Sequence, residues 1–228
     1  MLTPPSSPYL FEVGSLGIRY YSLAYLLGLG AAYWWLTRVG KYEREKVADL
    51  VVYSLLAIVV GGRLGYVFFY RPELIWTDFF EIFKVWHGGL SFHGGLIAVI
   101  LFACWFARKQ GWQLLRLFDN IVIPAALGLA LATVGNFFNS ELWGRVTSVP
   151  WCFQVPELEG CRHPSMLYQS LKNLILMSIL SLISFRRPKA GTVGAFFLIG
   201  YGIGRSLIET LWREPSWVFL NITAGTWL

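Results

Sequence analysis

The chain has 228 residues, of which 56% are hydrophobic and only 14% charged, and its mean hydropathy is +0.54. An ordinary soluble domain is about 25% charged, so the composition excludes a soluble globular protein and points to one that crosses a bilayer several times. The net charge of +6 resides mostly in short loops between apolar runs, which makes it a topology signal and a match to anionic lipid head groups, with no nucleic-acid partner implied.

Residues 1–15 hold no basic residue and place prolines where the apolar core of a signal peptide would lie, so the first span is expected to be retained. That span covers about 17–37, and the others about 48–70, 90–107, 119–138, 165–185 and 191–212, each close to the ~20 residues a helix needs to cross hydrocarbon. Arg38, Lys41, Arg44 and Lys46 fill the loop after the first span. Arg108, Lys109 and Arg116 fill the loop after the third, and Arg186, Arg187 and Lys189 the loop after the fifth. The positive-inside rule puts these loops in the cytoplasm and both chain ends outside. The expected fold is an all-α integral membrane protein: one transmembrane domain over 1–228, a bundle of about six helices, with small outward loops at about 71–89 and 140–163.

Charges inside such spans are costly and by default mark a pathway or a site. Arg19 in the first span and Lys172 in the fifth lie near span ends and are expected to snorkel to the interface. Arg63, in VGGRLGY of the second span, is deeper and flanked by Gly61, Gly62 and Gly65. The outward loop that follows runs into WHGGLSFHGGL, where HGGL occurs twice and raises the question whether His87 and His93 are equivalent. A histidine near a helix end is commonly structural, yet imidazole is also the group suited to proton transfer near neutral pH. Cys104 in the third span reads as a small core residue. The three histidines and three cysteines have no metal-ligand spacing, so no metal is expected.

Asp119 opens the fourth span, where it reads either as a helix N-cap or as a site residue. GNFFNSELWGR closes that span with Asn136 and Asn139 on one face, then Glu141 and Arg145 at the outward interface. Cys152 and Cys161 share the outward loop, where a disulfide is chemically allowed but not required. In the last span GYGIGRSLIE sets Tyr201, Arg205 and Glu209 at successive i, i+4 steps, one stripe of a helix. That stripe is either an internal ion pair or a binding surface, and its glycines leave room for close approach. Two intramembrane guanidiniums, Arg63 and Arg205, suit a phosphate through paired hydrogen bonds.

The motifs GGRLGYVFFY, WHGGLSFHGGL, GNFFNSELWGR, RHPSMLY and FFLIGYGIGRSLIE resemble those of the bacterial prolipoprotein diacylglyceryl transferases, in that family's order and over about residues 14–225. The resemblance implies a multi-pass protein of the bacterial inner membrane with a periplasmic N-terminus. It implies transfer of a diacylglyceryl group from phosphatidylglycerol to the lipobox cysteine thiol of a prolipoprotein signal peptide, without a cofactor. It makes His93 the motif histidine, Arg205 the phosphate-contacting arginine, and Asn136, Glu141 and Gly144 the substrate-site motif. Tyr21, Asp119, Tyr201 and Glu209 fall on positions the family pattern marks. It also makes the position of His87 variable, so the HGGL doubling is expected to be accidental. Thr133 stands where the family has an arginine, Gln169 where it has a glutamate, and the chain stops where a seventh span is expected to begin. An alternative of a different class is therefore a catalytically impaired, phospholipid-binding paralogue.

Overall fold

In hydrocarbon every backbone N–H and C=O must be satisfied within the segment, so apolar runs of this length become helices. The computed structural model describes residues 2–5, 7–13, 16–156, 158–213, 218–219 and 222–223. Residues 224–228, where the resemblance sets the start of the family's seventh span, lie outside the described residues. The long helices are α1 (Tyr20–Arg38), α2 (Arg44–Tyr70), α4 (Phe92–Lys109), α5 (Leu114–Phe138), α6 (Ser165–Phe185) and α7 (Thr192–Leu211), with a single turn α3 (Leu74–Thr77) in the loop between α2 and α4. All six expected spans are thus helical. Among the described residues α2, α4, α5 and α6 are long and apolar enough to cross a membrane by length and composition, and only 17% to 33% of each apolar stretch is buried. Residues such as Leu26, Leu56, Leu101, Leu182 and Leu198 are more than half exposed, as lipid-facing side chains require. In α1 and α7 tyrosines and glycines, with Arg205 and Glu209 in α7, dilute the apolar character.

The chain folds as two compact units, Leu36–Leu117 and Met1–Trp35 with Phe118–Leu228. In the first, α2 and α4 pack as an antiparallel pair. Their contact is made by glycine: a Cβ on Gly61 would run into Ala98 and the Gly94 carbonyl, and one on Gly65 into the Gly94 backbone. Small residues let the two backbones touch where lipid offers no hydrophobic drive for association. Ser91 caps α4, its Oγ accepting from Gly94 N at 3.3 Å, and its own N–H donates to Gly62 O at 2.8 Å.

In the second unit a hairpin of β1 (Tyr9–Val13) and β2 (Leu16–Arg19) leads into α1. Arg19 does not simply reach for water: its Nη2 donates to the Tyr9 hydroxyl at 3.0 Å and its guanidinium lies over the Tyr9 ring. Tyr20 of α1 stacks on Phe138 of α5 at 3.9 Å between ring centroids, and α6 pairs with α7. The loop after α5 is closed by a Cys152–Cys161 disulfide, beside the short strands β3 (Phe153–Gln154) and β4 (Cys161–Arg162). Trp143, Val155 and Met166 form its small core, with Phe137 and Phe153 against them.

Asp119 departs from its expected place. Helix α5 begins five residues earlier than expected, at Leu114, so Asp119 cannot cap its own helix. Its buried carboxylate instead accepts from Gly191 N and Gly194 N, both at 2.8 Å, and caps the start of α7.

Candidate functional site

The C-terminal half of α7 carries both charged residues of that helix, Arg205 and Glu209. Glu209 is buried, and its Oε2 accepts from Arg205 Nη2 at 3.2 Å and from Arg213 Nη1 at 3.3 Å. The i, i+4 stripe of Tyr201, Arg205 and Glu209 therefore runs one step further, to Arg213, just past the last helical residue. On the facing surface of α6, Lys172 does not snorkel as expected. Its stem runs along Gly204 and its ammonium sits 4.1 Å from the centre of the Tyr201 ring. Burial and the neighbouring Arg205 charge hold the Arg213 pKa below the usual guanidinium value, while Glu209 opposes them. A guanidinium remains charged under such pressure.

The loop that closes α5 docks on the end of α7. Arg145 N donates to Trp212 O and Gly144 N to His163 O, both at 2.8 Å, and Arg145 Nε donates to Arg213 O at 2.9 Å. A Cβ on Gly144 would strike Trp212 O and His163, so glycine is needed where these three segments cross. The side chain of Arg145 thus holds backbone. Asn136 O accepts from Glu141 N at 2.9 Å, the exposed Glu141 carboxylate is 3.5 Å from Asn139 Nδ2, and the buried Asn139 Oδ1 has no hydrogen-bond donor among the described residues. Tyr21 packs on Gly135, points its hydroxyl at that of Tyr25 (3.3 Å), and lies within electrostatic range of Glu141. Thr133 supplies no charge, and its hydroxyl bonds back to Leu129 O and Ala130 O of its own helix.

In the other unit, Arg63 is buried and its donors are taken by backbone: Nε by Ile82 O at 2.9 Å, Nη2 by Glu81 O and Nη1 by Gly88 O at 2.5 Å. The expected grip of Arg63 on a phosphate therefore meets a guanidinium already occupied in shaping the 79–89 loop. This arrangement separates the two HGGL copies. The first supplies loop carbonyls to Arg63, and its His87 Nδ1 lies 2.6 Å from Glu81 Oε1. The second opens α4 and leaves the His93 ring exposed, edge-on to Phe92 at 5.6 Å. Lys84 and then His87 lower the Glu81 pKa.

The second unit thus joins Tyr201, Arg205, Glu209, Gly144 and Arg145 into one connected cluster and sets Tyr21, Asn136 and Glu141 around the end of α5. It directs Asp119 to a helix cap, and His93 and Arg63 belong to the other unit. Three residues of the second unit were not assigned to the site by sequence: Lys172, which is read there as a snorkelling lysine, and Arg213 and His163. His163 Nδ1 is 3.0 Å from the Tyr168 hydroxyl, which also accepts from Trp151 Nε1 at 2.8 Å. Burial pushes the His163 pKa down. The i, i+4 spacing beyond Glu209 signals Arg213 and the charge inside an apolar span signals Lys172, whereas nothing local signals His163.

A sequence model described as prolipoprotein diacylglyceryl transferase matches residues 8–228. The chain is similar to the phosphatidylglycerol–prolipoprotein diacylglyceryl transferase of Vibrio cholerae, with 42% identity over 220 residues that cover 93% of this chain and 81% of that protein. The proteins of the same name from Aeromonas hydrophila and Pseudoalteromonas atlantica are each 41% identical, over 92% and 93% of this chain and 78% of their own lengths.

Proposed function

The chain belongs to the prolipoprotein diacylglyceryl transferase family, and from that membership we propose that it transfers diacylglyceryl from phosphatidylglycerol to the lipobox cysteine of an exported prolipoprotein. The cysteine sulfur attacks the glyceryl carbon bound to the phosphate oxygen, forming a C–S thioether bond. The C–O bond breaks, its electron pair stays on the phosphate, and glycerol phosphate leaves. The thiol proton goes to a base, a role assigned to His93. A thiol of ordinary pKa ~8.5 reacts as thiolate, so removing the proton is part of the task.

The observation that carries this reading is the excess of positive charge around Glu209, where two guanidiniums share one buried carboxylate at the outward end of α7. A phosphodiester supplies the missing anion, and Arg205 is its proposed contact through charge-assisted hydrogen bonds. Gly144 and Arg145 lock the substrate loop to the same helix end. Tyr21, Asn136 and Glu141 are proposed to receive the polar part of the substrates, Tyr201 to line the phosphate, and Asp119 and Arg63 to hold the elements that carry the site. The basic loops at 38–46, 108–116 and 186–189 support a proposed topology with this end of α7 and the N-terminus on the periplasmic side of the bacterial inner membrane.

Purified protein, phosphatidylglycerol and a lipobox peptide should yield a diacylglyceryl thioether and free glycerol phosphate, read by mass spectrometry. Phosphatidylglycerol binding without thioether formation would instead support the phospholipid-binding paralogue, the reading favoured by the uncharged, self-bonded Thr133.

A further inference from the structure

Helix α6 carries Gln169, Lys172 and Asn173 at i, i+3 and i+4, hence on one face. Gln169 and Asn173 are 3% and 2% exposed. Gln169 Nε2, Lys172 Nζ and Asn173 Oδ1 are all buried atoms with no hydrogen-bond partner among the described residues. One such atom in a protein interior is a defect that selection removes at small cost, since an apolar residue of similar shape would serve as well. Three within a turn and a half, one of them an ammonium, point to a partner that is not protein.

The neighbours define that partner's charge. Arg205 acts electrostatically on both Lys172 and Arg213, and Glu209 is the carboxylate bonded to the two arginines. The local balance is +2. The ammonium lies 4.1 Å from the centre of the Tyr201 ring, a cation–π contact that leaves its N–H donors to an anion.

We propose that Lys172, with Gln169 beside it, is a second arm of the phosphate site, gripping the donor phosphate from α6 while Arg205 grips it from α7. This rests on the reading that Arg205 binds the phosphate of phosphatidylglycerol. A phosphodiester carries one negative charge and the departing glycerol phosphate gains a second, so a local excess of +2 matches the leaving group more closely than the ground state. Lys172 thereby supplies on α6 a cation that Thr133 does not supply on α5.

The test uses the full chain in detergent micelles with phosphatidylglycerol and a lipobox peptide, and reads both thioether formation and the thermal shift produced by the lipid alone. Lys172→Gln and Lys172→Met should each lower kcat/KM by about 10²-fold, the usual effect of losing one preorganised stabiliser, and shrink the phosphatidylglycerol-dependent shift. Lys172→Arg, which keeps the charge, should restore most of both. Equal losses in Lys172→Arg and Lys172→Gln would overturn the proposal in favour of a proton-transfer role. Unfolding of the lipid-free Gln and Met variants would overturn it in favour of a structural role. Normal kinetics in Lys172→Met alongside lost lipid binding in Arg205→Lys would remove Lys172 and leave the phosphate site standing. Undiminished phosphatidylglycerol binding in both Lys172→Met and Arg205→Lys would remove the phosphate site itself.

Discussion

Replacing Asp119 separates a substrate contact from a helix cap. Its carboxylate accepts two backbone N–H groups at the start of α7, each at 2.8 Å, and is 4% exposed. In Asp119→Ala both amides lose their partner in a buried place. At about 1.5 kcal/mol for each hydrogen bond to a charged acceptor, the loss is ~3 kcal/mol, above the usual range for an exposed cap. On the scale of about 2 to 4 °C per kcal/mol for a chain of this size, the melting temperature should fall by roughly 6 to 12 °C. Asp119→Asn keeps one acceptor oxygen but turns an NH2 group toward the second amide, so about half the loss is expected. The assay is thermal unfolding in detergent without lipid, with KM for phosphatidylglycerol measured well below the melting point. KM should stay within about twofold of the natural protein, since the change touches no proposed ligand contact. An unchanged melting temperature with a KM raised tenfold would refute the cap and return Asp119 to the substrate.

His93→Gln should abolish thioether formation while leaving the lipid-induced thermal shift intact, because a general base contributes about 10²- to 10⁴-fold, whereas His87→Gln should only loosen the Glu81 contact; equal losses of activity from both would show that the repeat acts as a unit. Burial lowers the His163 pKa, so the unfolded chain takes up the proton first. The associated stability is complete above the ordinary histidine value of about 6.5 and is lost as pH falls below it. Melting temperature should therefore decline between about pH 7 and pH 5, with a shallower slope in His163→Asn; identical slopes would discount His163. Reducing the Cys152–Cys161 bond, whose ends are 9 residues apart, should destabilise the loop between α5 and α6 by ~2.5 kcal/mol on the chain-entropy account, seen as faster proteolysis within it.

By itself the sequence determined everything governed by short-range periodicity. Six helices form where six apolar runs were marked, since hydrocarbon thickness sets their length and lipid leaves the backbone no partner but itself. The Tyr201, Arg205 and Glu209 stripe was legible for the same reason, because i, i+4 neighbours meet in any helix. The tertiary structure alone decided which partner each buried polar group takes. Asp119 reaches amides 72 and 75 residues away, and Arg63 reaches carbonyls 18 to 26 residues further along the chain. Lys172 was expected to snorkel, as a lysine near a span end does when it stands alone, but packing of α6 on α7 offers it the Tyr201 ring instead. Hydrogen bonds and charge contacts act over a few ångströms in space with no fixed relation to separation along the chain, so a residue's type announces that it needs a partner while only the packing of helices selects which one it gets.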